Sequence, residues 1–143
     1  MMSTSGAQLL PMDAVLVFRE QILPLATILT PNIPEAKLLL ENAGQPASDP
    51  QSLEDLIEYA RAIHRLKPQW VLLKGGHLPL TKDRKIATKH ADRQIVIDIL
   101  VGESHTTLIE ADYLDTKNTH GTGCSLACMQ SNILLIYYVA EKT

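Results

Sequence analysis

Aromatic side chains are scarce, 4% of the 143 residues. Proteins that hold single-stranded nucleic acid stack bases on such rings, so that class of partner is not expected. Basic charge is not in excess either. The formal net charge is −3, the wrong sign for a nucleic-acid footprint. The local cluster Lys82, Arg84, Lys85 and Lys89 reads as a solvated loop. Cysteine occurs only at Cys124 and Cys128, four apart on one expected helix. That is neither a disulfide framework nor a zinc spacing, and a reducing, cytoplasmic setting is expected. No charged segment followed by an apolar one opens the chain, so no secretory signal is read. The apolar run at 133–139 is too short to cross a bilayer, and no membrane partner is expected. Two common phosphate-binding patterns, G-x-x-x-x-G-K-[ST] and G-x-G-x-x-G, are also missing.

What remains is ordinary globular composition, 45% hydrophobic and 20% charged, in a length that fits one domain. Residues 11–23 read as a helix, with Pro11 in its first turn and Pro24 at its end. Residues 26–30 are short, apolar and β-branched, a buried strand. Asn32 caps a following helix with Pro34 in its first turn, stopped by Asn42-Ala43-Gly44. Ser52 opens the clearest helix, where Leu53, Leu56, Ile57, Ala60 and Ile63 share one face. Ser52 with Asp55 is a near capping box, aspartate standing where glutamate or glutamine is usual. Lys67-Pro68 ends it, and His64 reads as a rim residue. Residues 70–74 are a second apolar strand, closed by Gly75-Gly76-His77. Residues 95–100 and 106–110 alternate as an antiparallel edge pair, with Asp98 a structural hydrogen-bond acceptor between apolar neighbours. This order predicts an α/β fold with a mainly parallel sheet and an antiparallel edge hairpin.

The stretch 118–127, NTHGTGCSLA, carries the most chemistry. Gly121 and Gly123 permit a sharp turn and a close backbone approach to a ligand. An apolar helix is expected from Ser125, so the glycines sit at its start, where free N–H groups favour an anion. Cys124 lies in the same field, which lowers a thiol pKa and readies it to take a proton. Glycine turn, anion site and base within four residues point to phosphoryl transfer. The plainer alternative is a glycine turn before a core helix with an inert cysteine. In α/β sheets ligands gather at the carboxyl ends of strands. Residues 32–35, 74–76 and 121–124 all fall at such ends or at the last helix start.

Three phrases in order, LATILTPNIPEAKLL, VLLKGGHLP and NTHGTGCSLA, resemble the hydroxymethylpyrimidine and hydroxymethylpyrimidine-phosphate kinases of the ribokinase-like superfamily. The opening MMSTSGAQLL resembles a segment from the middle of that family. The resemblance implies a three-layer ribokinase-like fold, ATP and Mg2+ as cofactors, and a small pyrimidine substrate of thiamine biosynthesis. It implies that Gly121, Thr122 and Gly123 form the anion hole for the transferring phosphoryl group. Cys124 would be the base that takes the substrate CH2OH proton. Asn32-x-x-Glu35 matches the superfamily N-x-x-E motif, in which Glu35 helps hold Mg2+ through water. Lys74 would balance phosphate charge on ATP. Simpler readings stand beside these: Glu35 complementing a helix dipole, Asn32 a pure cap, Lys74 a strand-end lysine reaching solvent. His77 and His120 read as loop structure and Cys128 as core.

The likeness runs from Met2 to about Ala127. The family's first half, with most pyrimidine-binding residues, has no counterpart here, and the tail diverges from about residue 128. The expectation is therefore that 1–143 is the C-terminal portion of such a kinase domain, keeping the phosphate end but lacking much of the substrate pocket. Its exposed apolar faces would favour a homo-oligomer or pairing with a full-length homologue. Other readings are an inactive nucleotide-binding or interaction fragment, a pyridoxine kinase of the cysteine-base branch, and a thiol hydrolase with Cys124 as nucleophile. The last has no evident base-and-orienter set.

Overall fold

The computed structural model describes residues 11–76 and 78–115. The chain divides into two units, Met1–Tyr113 and Leu114–Thr143, and every element below lies in the first. The glycine turn, Cys124, Cys128, His77, His120 and the expected last helix lie outside the described residues.

Helix α1 spans Met12–Val17 and continues as a wider turn over Phe18–Ile22 and a tight turn over Leu23–Leu25. The expected single helix to residue 23 is thus three windings. Pro24 has no N–H and cannot extend a four-residue ladder. Leu23 N–H instead reaches five residues back, to Phe18 O. Val15 and Leu23 turn into the core, whereas Met12, Leu16, Val17, Ile22 and Leu25 are exposed.

Strand β1 is only Ile28–Leu29, shorter than the five residues expected. Helix α2 covers Ile33–Asn42, and Gly44 follows in the left-handed region at φ 71°. Helix α3 covers Leu53–His64 and buries Leu53, Leu56, Tyr59, Ala60, Ala62 and Ile63. Ser52 Oγ accepts from Asp55 N at 3.1 Å, as the cap requires. The reciprocal bond differs: Asp55 accepts from Gln51 N at 2.7 Å, one residue before the cap. His64 Nε2 lies 3.2 Å from Gln69 O, the rim position expected of it.

Strands β2 (Trp70–Leu73), β3 (Ile95–Val101) and β4 (Thr106–Asp112) complete a sheet of order β1-β2-β3-β4. β1 and β2 are parallel; β2–β3 and β3–β4 are antiparallel. The α/β class and the antiparallel edge hairpin hold. Among the described residues, however, the sheet is mixed rather than mainly parallel. A parallel return needs a crossover, usually a helix. Between β2 and β3 the described residues hold just the short 3-10 turn His90–Asp92 and isolated bridges at Leu80, with no α-helical crossover, so β3 comes back antiparallel.

Ile95, Ile97, Ile99 and Val101 alternate into one buried cluster with Val71, Leu73, Leu39, Leu56 and Ile63. Each such side chain stabilises by roughly 1.5–3 kcal/mol when fully buried. This core fixes where the far ends of β1 and β2 emerge. At the other end Gly102 lies under the Trp70 ring, where an added Cβ would come within 2.4 Å.

Candidate active site

Chain leaving β1 meets Asn32, whose extended backbone (φ −82°, ψ 172°) makes it the cap of α2. Its Oδ1 accepts from Glu35 N at 2.8 Å, and Glu35 Oε2 accepts from Asn32 N at 3.0 Å. The N-x-x-E pair is therefore a complete capping box, two open N–H groups satisfied by two side chains. Pro34 in the first turn loses nothing by lacking an N–H.

Lys74 follows the last residue of β2. Its amide donates to Pro31 O at 2.9 Å, and Lys74 bridges Asn32 in parallel register. The end of β2 is thus stitched to the start of α2. Gly75 comes next and is buried against β3. A Cβ there would stand 1.9 Å from Ile97 O, so no other residue fits this backbone path. The close approach places Gly75 N 2.9 Å from Asp98 Oδ1, which accepts its hydrogen.

Asp98 is half-buried on the face of β3 opposite Ile97 and Ile99. Burial pushes its carboxyl above the usual range, opposed by the Gly75 N–H and by the charge of Lys74. The reading of Asp98 as a structural acceptor holds. What sequence inspection missed is its bond to Gly75, the residue after Lys74. The visible signal was an acid within Ile-Val-Ile-Asp-Ile-Leu-Val.

Asn32, Glu35, Lys74, Gly75 and Asp98 therefore gather at one end of the sheet, linked through three elements. The plain reading of Asn32 as a cap is realised, and Glu35 serves the same box. Lys74 is brought beside the start of α2 by its backbone bridge to Asn32. Among these five residues it is the one cation that could pair with a polyphosphate. For a metal, no group of three or more His, Cys, Asp or Glu side chains is found among the described residues. A single carboxylate suits Mg2+ only through its waters, which that ion gives up reluctantly. Gly121, Thr122, Gly123 and Cys124 lie outside the described residues.

Residues 1–136 match the family model described as phosphomethylpyrimidine kinase. The chain belongs to the phosphomethylpyrimidine kinase family. It is 41% identical over 127 residues to the hydroxymethylpyrimidine/phosphomethylpyrimidine kinase of Synechococcus elongatus, covering 89% of this chain and 41% of that one. A kinase of the same description from Saccharomyces cerevisiae is 32% identical over 146 residues, covering 99% of this chain and 24% of that one. The chain therefore spans well under half the length of these family members. Among solved structures, Bacillus subtilis pyridoxal kinase in complex with ADP superposes with a TM-score of 0.63 at 33% identity, covering 87% of this chain and 40% of that one. The Clostridium difficile phosphomethylpyrimidine kinase superposes with a TM-score of 0.57 at 27% identity, covering 93% of this chain and 54% of that one. The ribokinase-like α/β fold expected of the family is the fold found, and kinase chemistry with a phosphate donor is what the family implies. No helix among the described residues is long and apolar enough to cross a membrane.

Proposed function

We propose that the chain carries the phosphate-handling end of an ATP-dependent kinase that phosphorylates hydroxymethylpyrimidine and its monophosphate in thiamine biosynthesis. The observation that carries this reading is the bridge joining Asn32 to Lys74 where β2 ends and α2 begins. Residues 1–143 would then be the C-terminal portion of such a domain, acting in the cytoplasm. Association with a second copy or with a full-length homologue is part of the proposal, supported by the exposed Met12, Leu16, Ile22 and Leu25.

ATP, when bound, supplies the γ-phosphoryl group, and Mg2+ offsets the negative charge that builds on it. Lys74 would pair with the phosphate oxygens. Glu35 would orient the metal's waters while Asn32 keeps its carboxylate in place. Gly121, Thr122 and Gly123 would donate backbone N–H groups to the transferring oxygens. Cys124 would take the proton of the substrate CH2OH. The alcohol oxygen would bond to the γ-phosphorus as the bond to the departing ADP oxygen breaks. Such transfer asks the protein chiefly for positioning and charge.

Two alternatives keep specific support. Pyridoxine kinase chemistry of the cysteine-base branch would use the same phosphate end, and the likeness to a pyridoxal kinase favours it. A nucleotide-binding or interaction module without turnover fits the partial coverage of the relatives.

Calorimetric titration of the 143-residue chain with Mg–ATP tests the main reading. Saturable binding is expected, about 10- to 100-fold weaker in Lys74→Met, from the 1.5–3 kcal/mol typical of hydrogen bonds to charged groups. Equal affinity in the two proteins would remove Lys74 from the site.

A further inference from the structure

Asp98 is an acid in the middle of a strand whose other members are isoleucine, valine and leucine. A carboxylate in such a place loses hydration, and that cost needs an offset. Two offsets are present: the hydrogen bond from Gly75 N at 2.9 Å and the positive charge of Lys74. Glycine is the only residue type the backbone tolerates at position 75, because Ile97 O would lie 1.9 Å from any Cβ. So the backbone beyond β2 is pressed onto β3 at Gly75, whose amide is held by Asp98. The residue just before that amide is Lys74, itself tied to Pro31 O.

We propose that Asp98 is a positioning residue for Lys74: it pins the Gly75 amide and counters the lysine charge, so that the ammonium waits at the strand end for an incoming phosphate. This inference rests on the nucleotide reading for the identity of the phosphate. Asp98 touches neither substrate nor cofactor in this scheme and acts only through residues 74 and 75. Its hydrogen bond keeps residues 74 and 75 in register with α2.

The test separates charge from hydrogen bond. The amide side chain of Asp98→Asn still offers an Oδ1 to Gly75 N but carries no charge; Asp98→Ala offers neither. Carbon-13 NMR follows the Asp98 carboxyl with pH in the wild type and in Lys74→Met. Because the Lys74 charge favours the ionised carboxylate, its removal is expected to move the titration midpoint upward. Mg–ATP bound to the wild type is expected to move it upward as well. Gly75 amide exchange is expected to be faster in Asp98→Ala and retained in Asp98→Asn. Mg–ATP affinity is expected to fall about fivefold in Asp98→Ala, in line with the loss of one hydrogen bond, and to stay within about twofold in Asp98→Asn, which keeps that bond. A merely structural acid would leave Mg–ATP affinity alike in folded Asp98→Ala and Asp98→Asn, and that result overturns the inference. An unmoved midpoint in Lys74→Met overturns its electrostatic part, whether or not Asp98→Ala folds. A midpoint that moves with Lys74→Met but not with Mg–ATP supports the pairing and overturns the nucleotide reading instead.

Discussion

Gly75→Ala is expected to cost the fold about 3 kcal/mol or more, the high end for overpacking a tight site. The Cβ would meet a backbone carbonyl, Ile97 O, at 1.9 Å, so no side-chain rotation can relieve it. Either β3 or the residues after β2 must shift. Movement of the latter breaks the bond from Gly75 N to Asp98 and strains the tie between Lys74 and Pro31. With slopes of about 1–3 kcal/mol per molar urea, the unfolding midpoint should fall by roughly 1–3 M. Gly76→Ala is the control. Gly76 is exposed and an added Cβ there meets nothing within 4 Å, so its effect should stay within about 0.5 kcal/mol. Equal midpoints for the two variants would contradict the close packing of Gly75 on β3.

Under the proposed function, Cys124→Ala lowers whatever hydroxymethylpyrimidine-dependent ADP production the chain retains without most of the substrate pocket by about 10²- to 10⁴-fold, the usual contribution of a positioned acid or base. Mg–ATP affinity should change little, because the sulfur is assigned to the alcohol and not to the nucleotide. The coupled assay and the binding titration together separate the roles. Undiminished turnover in Cys124→Ala would take the base role from the cysteine. Mg–ATP binding by the wild type without any pyrimidine turnover would favour the nucleotide-binding or interaction module.

How much of this was legible beforehand differs by element. Helix α3 was readable because Ser52 caps it and Leu53, Leu56, Ala60 and Ile63 recur on one face. The start of α2 was equally plain, since Asn32, Pro34 and Glu35 are local signals within four residues. Sheet direction was less so. Alternating strands and helices suggested parallel pairing, yet the helix-free passage from β2 to β3 decided the opposite direction. The short β1 was overestimated because apolar, β-branched composition marks burial without telling how many residues a neighbour can pair. At the site, Lys74 and Asn32 were each visible, but not that they bridge. The bond from Gly75 to Asp98 joins residues 23 positions apart, and no periodicity encodes such a pairing. A close backbone approach explains Gly75 only once Ile97 is in view. The glycine turn and Cys124 were the strongest motif in the sequence and lie outside the described residues.

The central claim is that ATP phosphate docks where β2 ends and α2 begins. Amide chemical-shift mapping of the uniformly nitrogen-15-labelled chain during Mg–ATP titration tests this most directly. The account predicts saturable shifts concentrated at Asn32, Glu35, Lys74 and Gly75. Shifts concentrated instead in the groove lined by Arg61, His64, Arg65 and His105, at the opposite end of the sheet, would contradict it.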